Sequence, residues 1–106
     1  MSERRYWVLV ASRDHARRGL EGGFVMANHG KRAPMARMAV GDAVIVYSPT
    51  TSWPGGDPLR AVTIVGEVTG AQPEPSPVIE GGFRRGAALR EVEPVPLHAV
   101  REHLPA

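Results

Sequence analysis

The sequence of 106 residues contains no cysteine. This absence excludes disulfide bridges, thiolate metal sites and a cysteine nucleophile. It also favours the cytoplasm, because an extracellular domain of this size is usually stabilised by disulfides. The chain has no apolar run near the ~20 residues that a membrane span needs, and its N-terminus lacks the apolar core of a signal peptide. We therefore expect a cytoplasmic protein that does not enter the membrane.

Catalytic and metal-binding motifs are also absent. The sequence has no nucleophile elbow, no phosphate-cradling Gly-Lys-Ser/Thr loop and no dinucleotide fingerprint. His98 and His103 are not spaced as the zinc-binding pair of a helix. Glu91 and Glu93 share one face of a predicted strand, and a face that carries two glutamates usually faces solvent. The sequence therefore predicts no metal, no cofactor and no enzymatic activity.

Charge is distributed unevenly along the chain. Residues 1–40 carry eight Lys and Arg against three Asp and Glu, a balance of +5, whereas residues 41–106 carry five against eight, a balance of −3. A locally basic surface fits a phosphate-bearing partner. Charges scattered at random over an ordinary solvated surface explain the same numbers equally well.

Apolar and turn-forming residues predict strands and short helices in a single domain, residues 1–106. Tyr6–Val10 predicts a buried strand, and a short helix follows from Ser12, its predicted N-cap, to Gly22. Further strands are predicted at 43–47, 61–68 and 83–92, a helical turn at 34–38 and a terminal helix at 94–104. Because turns and long loops separate the strands, we expect an α+β fold, a small mixed β barrel with short flanking helices.

A polar, basic segment interrupts this pattern at Asn28-His29-Gly30-Lys31-Arg32. Loops between regular elements often carry binding groups. The amide, imidazole, ammonium and guanidinium groups of this segment suit an anionic or hydrogen-bonding ligand such as a nucleotide. Taken alone, His29 would be read as a loop histidine that hydrogen-bonds to a backbone carbonyl. Because its neighbours are polar, contact with a ligand is an equally good interpretation.

The loop at 48–58 is a second candidate region, with three prolines, two glycines and Trp53. Trp53 either caps the core or presents a flat face on which a nucleobase stacks, a contact worth ~1–3 kcal/mol per base. Tyr47 and Ser48 end a predicted strand beside this loop. Such strand ends line the mouths of small barrels, where ligands often bind.

Short motifs of one family occur together along residues 5–104. They are Tyr6-Trp7-Val8, Ser12, Gly22-Gly23-Phe24, His29-Gly30-Lys31, Ala33-Pro34, Arg37-Met38, Gly41-Asp42, Tyr47-Ser48-Pro49 and Glu93-Pro94-Val95-Pro96. Together they resemble the EVE domain family of the PUA-like superfamily. Members of that family are commonly longer at the C-terminus, so we expect a missing last element that leaves a sheet edge or part of the core uncovered.

The resemblance implies a pseudo-barrel whose pocket holds a modified base taken out of its stack or strand, as in the related YTH and SRA domains. The residues that it places around the base are Ser12, Phe24, Asn28, His29, Gly30, Tyr47, Ser48 and, provided that its loop folds inward, Trp53. The residues that it places near phosphates are Lys31, Arg32 and Arg13. The implied protein is a non-catalytic module that binds a modified base in DNA or RNA, as a monomer or weak homodimer. A small hydrolase using the same pocket and a protein-interaction scaffold are the alternatives.

Overall fold

Strands dominate the computed structural model, which describes residues 4–26, 31–77 and 79–103. In chain order the elements are β1 (Tyr6–Val10), α1 (Arg13–Gly22), β2 (Phe24–Val25), α2 (Arg32–Arg37), β3 (Ala43–Thr50), β4 (Pro58–Val68), β5 (Glu74–Pro75), β6 (Phe83–Val95) and a 3-10 helix at Leu97–His103. No helix in these ranges is long and apolar enough to cross a membrane.

The strands pair into one mixed sheet that forms a half-barrel, in the order β1-β3-β4-β6-β2, with β5 also paired to β6. β1 runs parallel to β3, and the other pairs are antiparallel. Because β1 and β3 are parallel, their C-terminal ends lie at the same end of the sheet, where α1 begins. The predicted α+β class with a mixed, barrel-like sheet is confirmed.

Both faces of the sheet carry core residues. On one face, α1 and α2 pack onto the strands with the buried side chains Leu9, Ala16, Val25, Met35, Met38, Val44, Val46, Ile64, Val68 and Ala87. On the other face, the 3-10 helix places Val100 against the buried side chains Ile45, Val62, Val65 and Val92. Alternation along β3 therefore divides the core into two layers, as the period of a strand requires.

The prediction that β1 is buried is wrong for its outward face. Leu9 is buried, but Tyr6, Val8 and Val10 are 54%, 48% and 67% exposed. β1 is the terminal strand of the described sheet, so β3 is its neighbour on one side only. An edge strand with one solvated face shows this alternation of burial.

Several element boundaries also differ from the prediction. The ends of β3 and β4 extend into the predicted loop and shorten it to 51–57. β6 continues to Val95, and the predicted terminal helix is the shorter 3-10 helix. β6 accommodates Pro94 because the register with β4 is irregular there: Ile64 pairs with Glu91 and Val62 with Val95. Proline lacks an N–H donor, and irregularities of this kind are where sheets tolerate it.

Gly66 confirms the prediction of a bulge or a close approach inside the third long strand. A Cβ atom at this position would clash with the carbonyl oxygen of Ala88 on β6. A side chain therefore does not fit, and glycine lets the two strands approach each other.

Candidate nucleic-acid interface

Backbone hydrogen bonds join the start of α1 to the loop between β3 and β4. The amide of Ala11 donates to the carbonyl of Tyr47, and the amide of Asp14 donates to the carbonyl of Thr51, each at 3.1 Å. The amides of Thr51 and Asp57 close the loop by donating to the Asp57 carbonyl and the Thr51 hydroxyl, each at 3.0 Å. The residues of the predicted site that this end of the sheet brings together are Ser12, Arg13, Tyr47, Ser48 and Trp53.

Trp53 lies in this fixed loop with 67% of its surface exposed. Such a large exposed fraction does not fit the alternative in which Trp53 covers the core. Tyr47, at the neighbouring strand end, is partly buried. This end of the sheet therefore presents one large aromatic surface to solvent next to the N-terminus of α1.

The hydroxyl groups of Ser12 and Ser48 are both engaged inside the protein. Ser12 is buried, makes no capping bond to α1 and donates to the carboxylate of Asp14, and this bond lowers the pKa of Asp14 below its ordinary value. Ser48 is fully buried, and its hydroxyl lies 2.8 Å from that of Thr63. These serines shape the wall of the site, and neither presents a free hydroxyl to a ligand.

Phe24 lies at the opposite end of the sheet. It pairs with Gly86 on β6, and its ring centroid is 4.7 Å from the guanidinium carbon of Arg84. The region of β6 around Gly86 lies beside the C-terminal end of β4, whereas Trp53 precedes the N-terminal end of β4. At about 3.3 Å per residue, the length of β4 separates the two aromatic rings. The structure does not bring Phe24 and Trp53 together.

Lys31 and Arg32 begin α2 and are both exposed. The guanidinium carbon of Arg32 lies 5.8 Å from the ring centroid of Phe83, a cation–π contact at the Phe24 end of the sheet. Asn28, His29 and Gly30 precede them in the chain and lie outside the described residues. Their predicted contacts with a base stay predictions.

Arg85 fixes the position of α2 from inside the protein. Its guanidinium is almost fully buried and donates to three backbone carbonyls, those of Met35 and Met38 at 2.7 Å and that of Gly70 at 2.8 Å. The carbonyls of the last turn of a helix have no partner within the helix, and a cation satisfies them well. Arg85 therefore holds the C-terminal end of the helix that carries Lys31 and Arg32.

A polar groove lies between α1 and β6, with a volume of about 240 Å³. Its lining residues are Arg13, Arg17, Glu91, Val92, Glu93 and Pro94. The Nε atom of Arg17 lies 2.6 Å from the Oε2 atom of Glu91. This hydrogen bond, together with the charges of Arg17 and Arg13, lowers the pKa of Glu91 although burial opposes the shift.

Sequence reasoning missed this groove, because it assigned Glu91 and Glu93 to solvent. The position of these two glutamates beside α1 depends on the register of β6 and on the packing of α1, and no local sequence pattern indicates either of them. No group of three or more His, Asp or Glu side chains in the described part of the chain is placed to hold a metal ion.

Comparison with known proteins gives a family model and several relatives. The EVE domain model matches residues 5–101. A UPF0310 protein of Mesorhizobium japonicum is 39% identical over 103 residues, which cover 93% of this chain and 69% of that protein. A UPF0310 protein of Streptococcus sanguinis is 38% identical over 102 residues, which cover 93% of this chain and 72% of that protein.

A third relative, a UPF0310 protein of Renibacterium salmoninarum, is 45% identical over 73 residues, which cover 69% of this chain. The match spans about half of that relative, 52% of its length. The family model, in contrast, covers nearly the whole of this chain. The chain belongs to the EVE domain family.

Proposed function

We propose that this protein is a non-catalytic module that binds DNA or RNA and recognises one modified base at the α1 end of its sheet. Membership of the EVE domain family supports nucleic-acid binding. The observation that carries the choice of site is the exposed Trp53 in a loop bonded to the start of α1. A base that has left its stack regains stacking on such a ring, and the loop bonds hold the ring in place.

The proposal assigns the phosphate contacts to Lys31 and Arg32. Both are exposed at the start of α2, and Arg85 holds the other end of this helix. They follow the segment Asn28-His29-Gly30, to which we assign the edge of another base of the bound strand, because amide and imidazole groups donate and accept hydrogen bonds and α2 begins at the opposite end of the sheet from Trp53. Cations beside a base-reading segment fix the register of the strand, while base contacts supply the specificity.

A panel of oligonucleotides tests the proposal. Single- and double-stranded DNA and RNA, each with one methylated or hydroxymethylated base or its unmodified counterpart, are titrated by fluorescence anisotropy. We expect one modified oligonucleotide to bind at least tenfold more tightly than its counterpart, and Trp53→Ala to remove that preference. Tyr6→Ala, which truncates an exposed aromatic residue on β1, is the matched control and keeps it. Equal affinity for every oligonucleotide would contradict the proposal.

The hydrolase alternative depends on His29 acting with Lys31, and His29 lies outside the described residues. The same titration separates the two functions, because a reader releases the oligonucleotide unchanged. We expect the mass of the recovered oligonucleotide to be the same before and after overnight incubation. A loss of mass at the modified base would favour the hydrolase.

Self-assembly is a second candidate function, favoured by the outward face of β1. Two copies paired antiparallel through this edge would place Val8 opposite Val8 and Tyr6 opposite Val10, a self-complementary arrangement with two-fold symmetry. The occupant of this edge is then a second copy of the chain. A lysine at an edge strand blocks such pairing. We expect a concentration-dependent dimer in sedimentation velocity that Val8→Lys abolishes, and a monomer at all concentrations would exclude this function.

A further inference from the structure

Two arginines of α1 face two glutamates of β6. Arg13 and Arg17 are one helical turn apart and share a face of α1. Glu91 and Glu93 are alternate residues of β6 and share a face of the sheet. Glu91 pairs with Ile64, which packs with Ala16 of α1, so this is the face that α1 covers.

The two arginine–glutamate pairs are not equivalent. Arg17 and Glu91 form a closed ion pair at 2.6 Å. In the second pair, the Nε atom of Arg13 is buried and has no acceptor, while Glu93 is exposed and makes no hydrogen bond within the described residues. We call Arg13 and Glu93 the open pair. Arg13 makes no hydrogen bond within the described residues, so an acceptor placed in the groove can pair with the terminal N–H groups of its guanidinium.

The charges of the groove decide what kind of ligand fits. The charges of its two guanidinium groups and two carboxylates cancel. A phosphate bound near Arg13 would also lie close to Glu91 and Glu93, whose negative charges would repel it. A neutral ligand that offers acceptors on one side and donors on the other satisfies both members of the open pair. A nucleobase edge has this property.

We propose that the open pair is a subsite for a guanine that neighbours the modified base, an inference that rests on the proposed function. Guanine presents two adjacent acceptors, N7 and O6, which a guanidinium contacts in the commonest specific pairing. It also presents two adjacent donors, N1–H and the N2 amino group, which fit the two oxygens of a carboxylate. Arg13 takes the acceptors and Glu93 takes the donors. The donors are free only in a single-stranded or flipped nucleotide.

Base analogues test each half of the contact. The tightest-binding oligonucleotide of the panel is synthesised with guanine, inosine or 7-deazaguanine at each position next to the modified base. Inosine lacks the N2 amino group, and 7-deazaguanine lacks the N7 acceptor. At one position we expect each analogue to weaken binding about tenfold, the size of one good base contact.

Substitutions show which residue makes each half of the contact with guanine. Glu93→Gln removes the preference for guanine over inosine and keeps the preference over 7-deazaguanine, whereas Arg13→Gln does the reverse. Glu67→Gln and Arg101→Gln make the same changes of charge elsewhere on the surface, and both preferences survive in them. Preferences that persist in the Arg13 and Glu93 variants would overturn the subsite.

Mononucleotides separate this inference from the proposed function. Guanosine and inosine monophosphates carry the same phosphate, and the Nε–Hε resonance of Arg13 reports on the open pair by NMR. Both nucleotides carry N7 and O6, so we expect both to shift this resonance, the guanosine nucleotide at about tenfold lower concentration, whether or not any oligonucleotide shows a preference for a modified base. Equal affinity for the two nucleotides overturns the subsite and leaves the proposed function standing. The subsite is also overturned if a double-mutant cycle on unfolding finds Arg13 and Glu93 coupled as strongly as Arg17 and Glu91, because the pair is then closed.

Discussion

The indole Nε1 of Trp7 donates to the Oδ2 atom of Asp42 at 2.9 Å and joins β1 to the turn that starts β3. The same carboxylate accepts the backbone amides of Ala39 at 2.9 Å and of Arg5 at 3.2 Å. Burial by itself raises the pKa of Asp42, but these hydrogen bonds and the charge of Arg5 hold that pKa below its ordinary value of 3.8. The ionised carboxylate is therefore the form that the fold stabilises.

This relationship predicts a loss of stability in acid. Because the pKa of Asp42 is lower in the folded chain than in the unfolded chain, its contribution is complete above about pH 5 and disappears as the pH falls through the folded pKa. We expect the thermal midpoint to drop between pH 5 and pH 3, and to drop less in Asp42→Asn. The remaining drop belongs to Asp14 and Glu91, whose pKa values are also lowered. An identical pH profile for the variant would contradict the assignment.

At neutral pH, Asp42→Ala leaves the indole N–H and two backbone amides without their acceptor. Hydrogen bonds to a charged group contribute about 1.5–3 kcal/mol each, and water replaces part of that, so we expect a total loss of about 2–4 kcal/mol in the free energy of unfolding. Urea denaturation measures it. Asp57→Ala changes an exposed aspartate and serves as the control, with a loss below about 1 kcal/mol.

Arg85 gives a second stability prediction. Arg85→Met removes three donors and leaves the carbonyls of Met35, Met38 and Gly70 unpaired. We expect a loss of about 3–5 kcal/mol, and Arg85→Lys recovers little of it, because a point-charge ammonium does not reach three carbonyls as a planar guanidinium does. Arg84→Met removes the ion pair with Glu74 and the cation–π contact with Phe24 and provides the matched control, at no more than about 1–2 kcal/mol. Equal losses in the two methionine variants would show that Arg85 is not an anchor.

The sequence predicted the order of the long strands and helices and the class of the fold. Apolar runs mark β1, β3 and β4, and glycine and proline bound the last two of these runs, whichever strands become their neighbours. Burial of β1 was not predictable, because an apolar strand looks the same at the edge of a sheet as at its centre. Only the pairing order determines that Val8 faces solvent.

The candidate site was less predictable than the fold. Chain neighbours such as Tyr47 and Ser48 differ in burial: Tyr47 is partly buried, whereas the alternation of the strand turns the hydroxyl of Ser48 inward to Thr63. Trp7 and Arg5, which bond to Asp42, and the three carbonyl partners of Arg85 are distant in sequence, and a turn residue or a strand arginine gives no local sign of them. The groove at Arg13 and Glu93 likewise appears only when α1 is packed on β6.

Trp53 distinguishes a binding role from a structural one. Because the side chain is 67% exposed, Trp53→Ala should leave the thermal midpoint nearly unchanged, whereas truncation of a buried tryptophan costs ~3–5 kcal/mol. The affinity for the preferred oligonucleotide should fall by about 1–3 kcal/mol, the value of one stacked base. Trp7→Ala, which removes a core contact and the bond to Asp42, should show the opposite pattern of large destabilisation. A parallel loss of stability and affinity in Trp53→Ala would assign this residue to the core.

Salt dependence tests the phosphate contacts at the start of α2. Each phosphate neutralised by a cation releases counterions, so two to four contacts predict a slope of about −1.5 to −4 for the logarithm of the binding constant against that of the salt concentration. Lys31→Ala should weaken all oligonucleotides by a similar factor and flatten the slope by about one, because a phosphate contact carries no base specificity.

The Lys31 variant is a clean test because its side chain makes no capping hydrogen bond to α2, so the helix loses no bond when it is shortened. Arg101→Gln removes a charge from the 3-10 helix and should leave the slope unchanged. Replacing Asn28 or His29 should instead alter the preference among bases at a second position of the oligonucleotide while keeping the slope. If the Lys31, Asn28 and His29 variants all lower every affinity equally, the segment attracts the phosphate backbone without reading a base. If none of them changes binding, the contacts lie elsewhere on the surface.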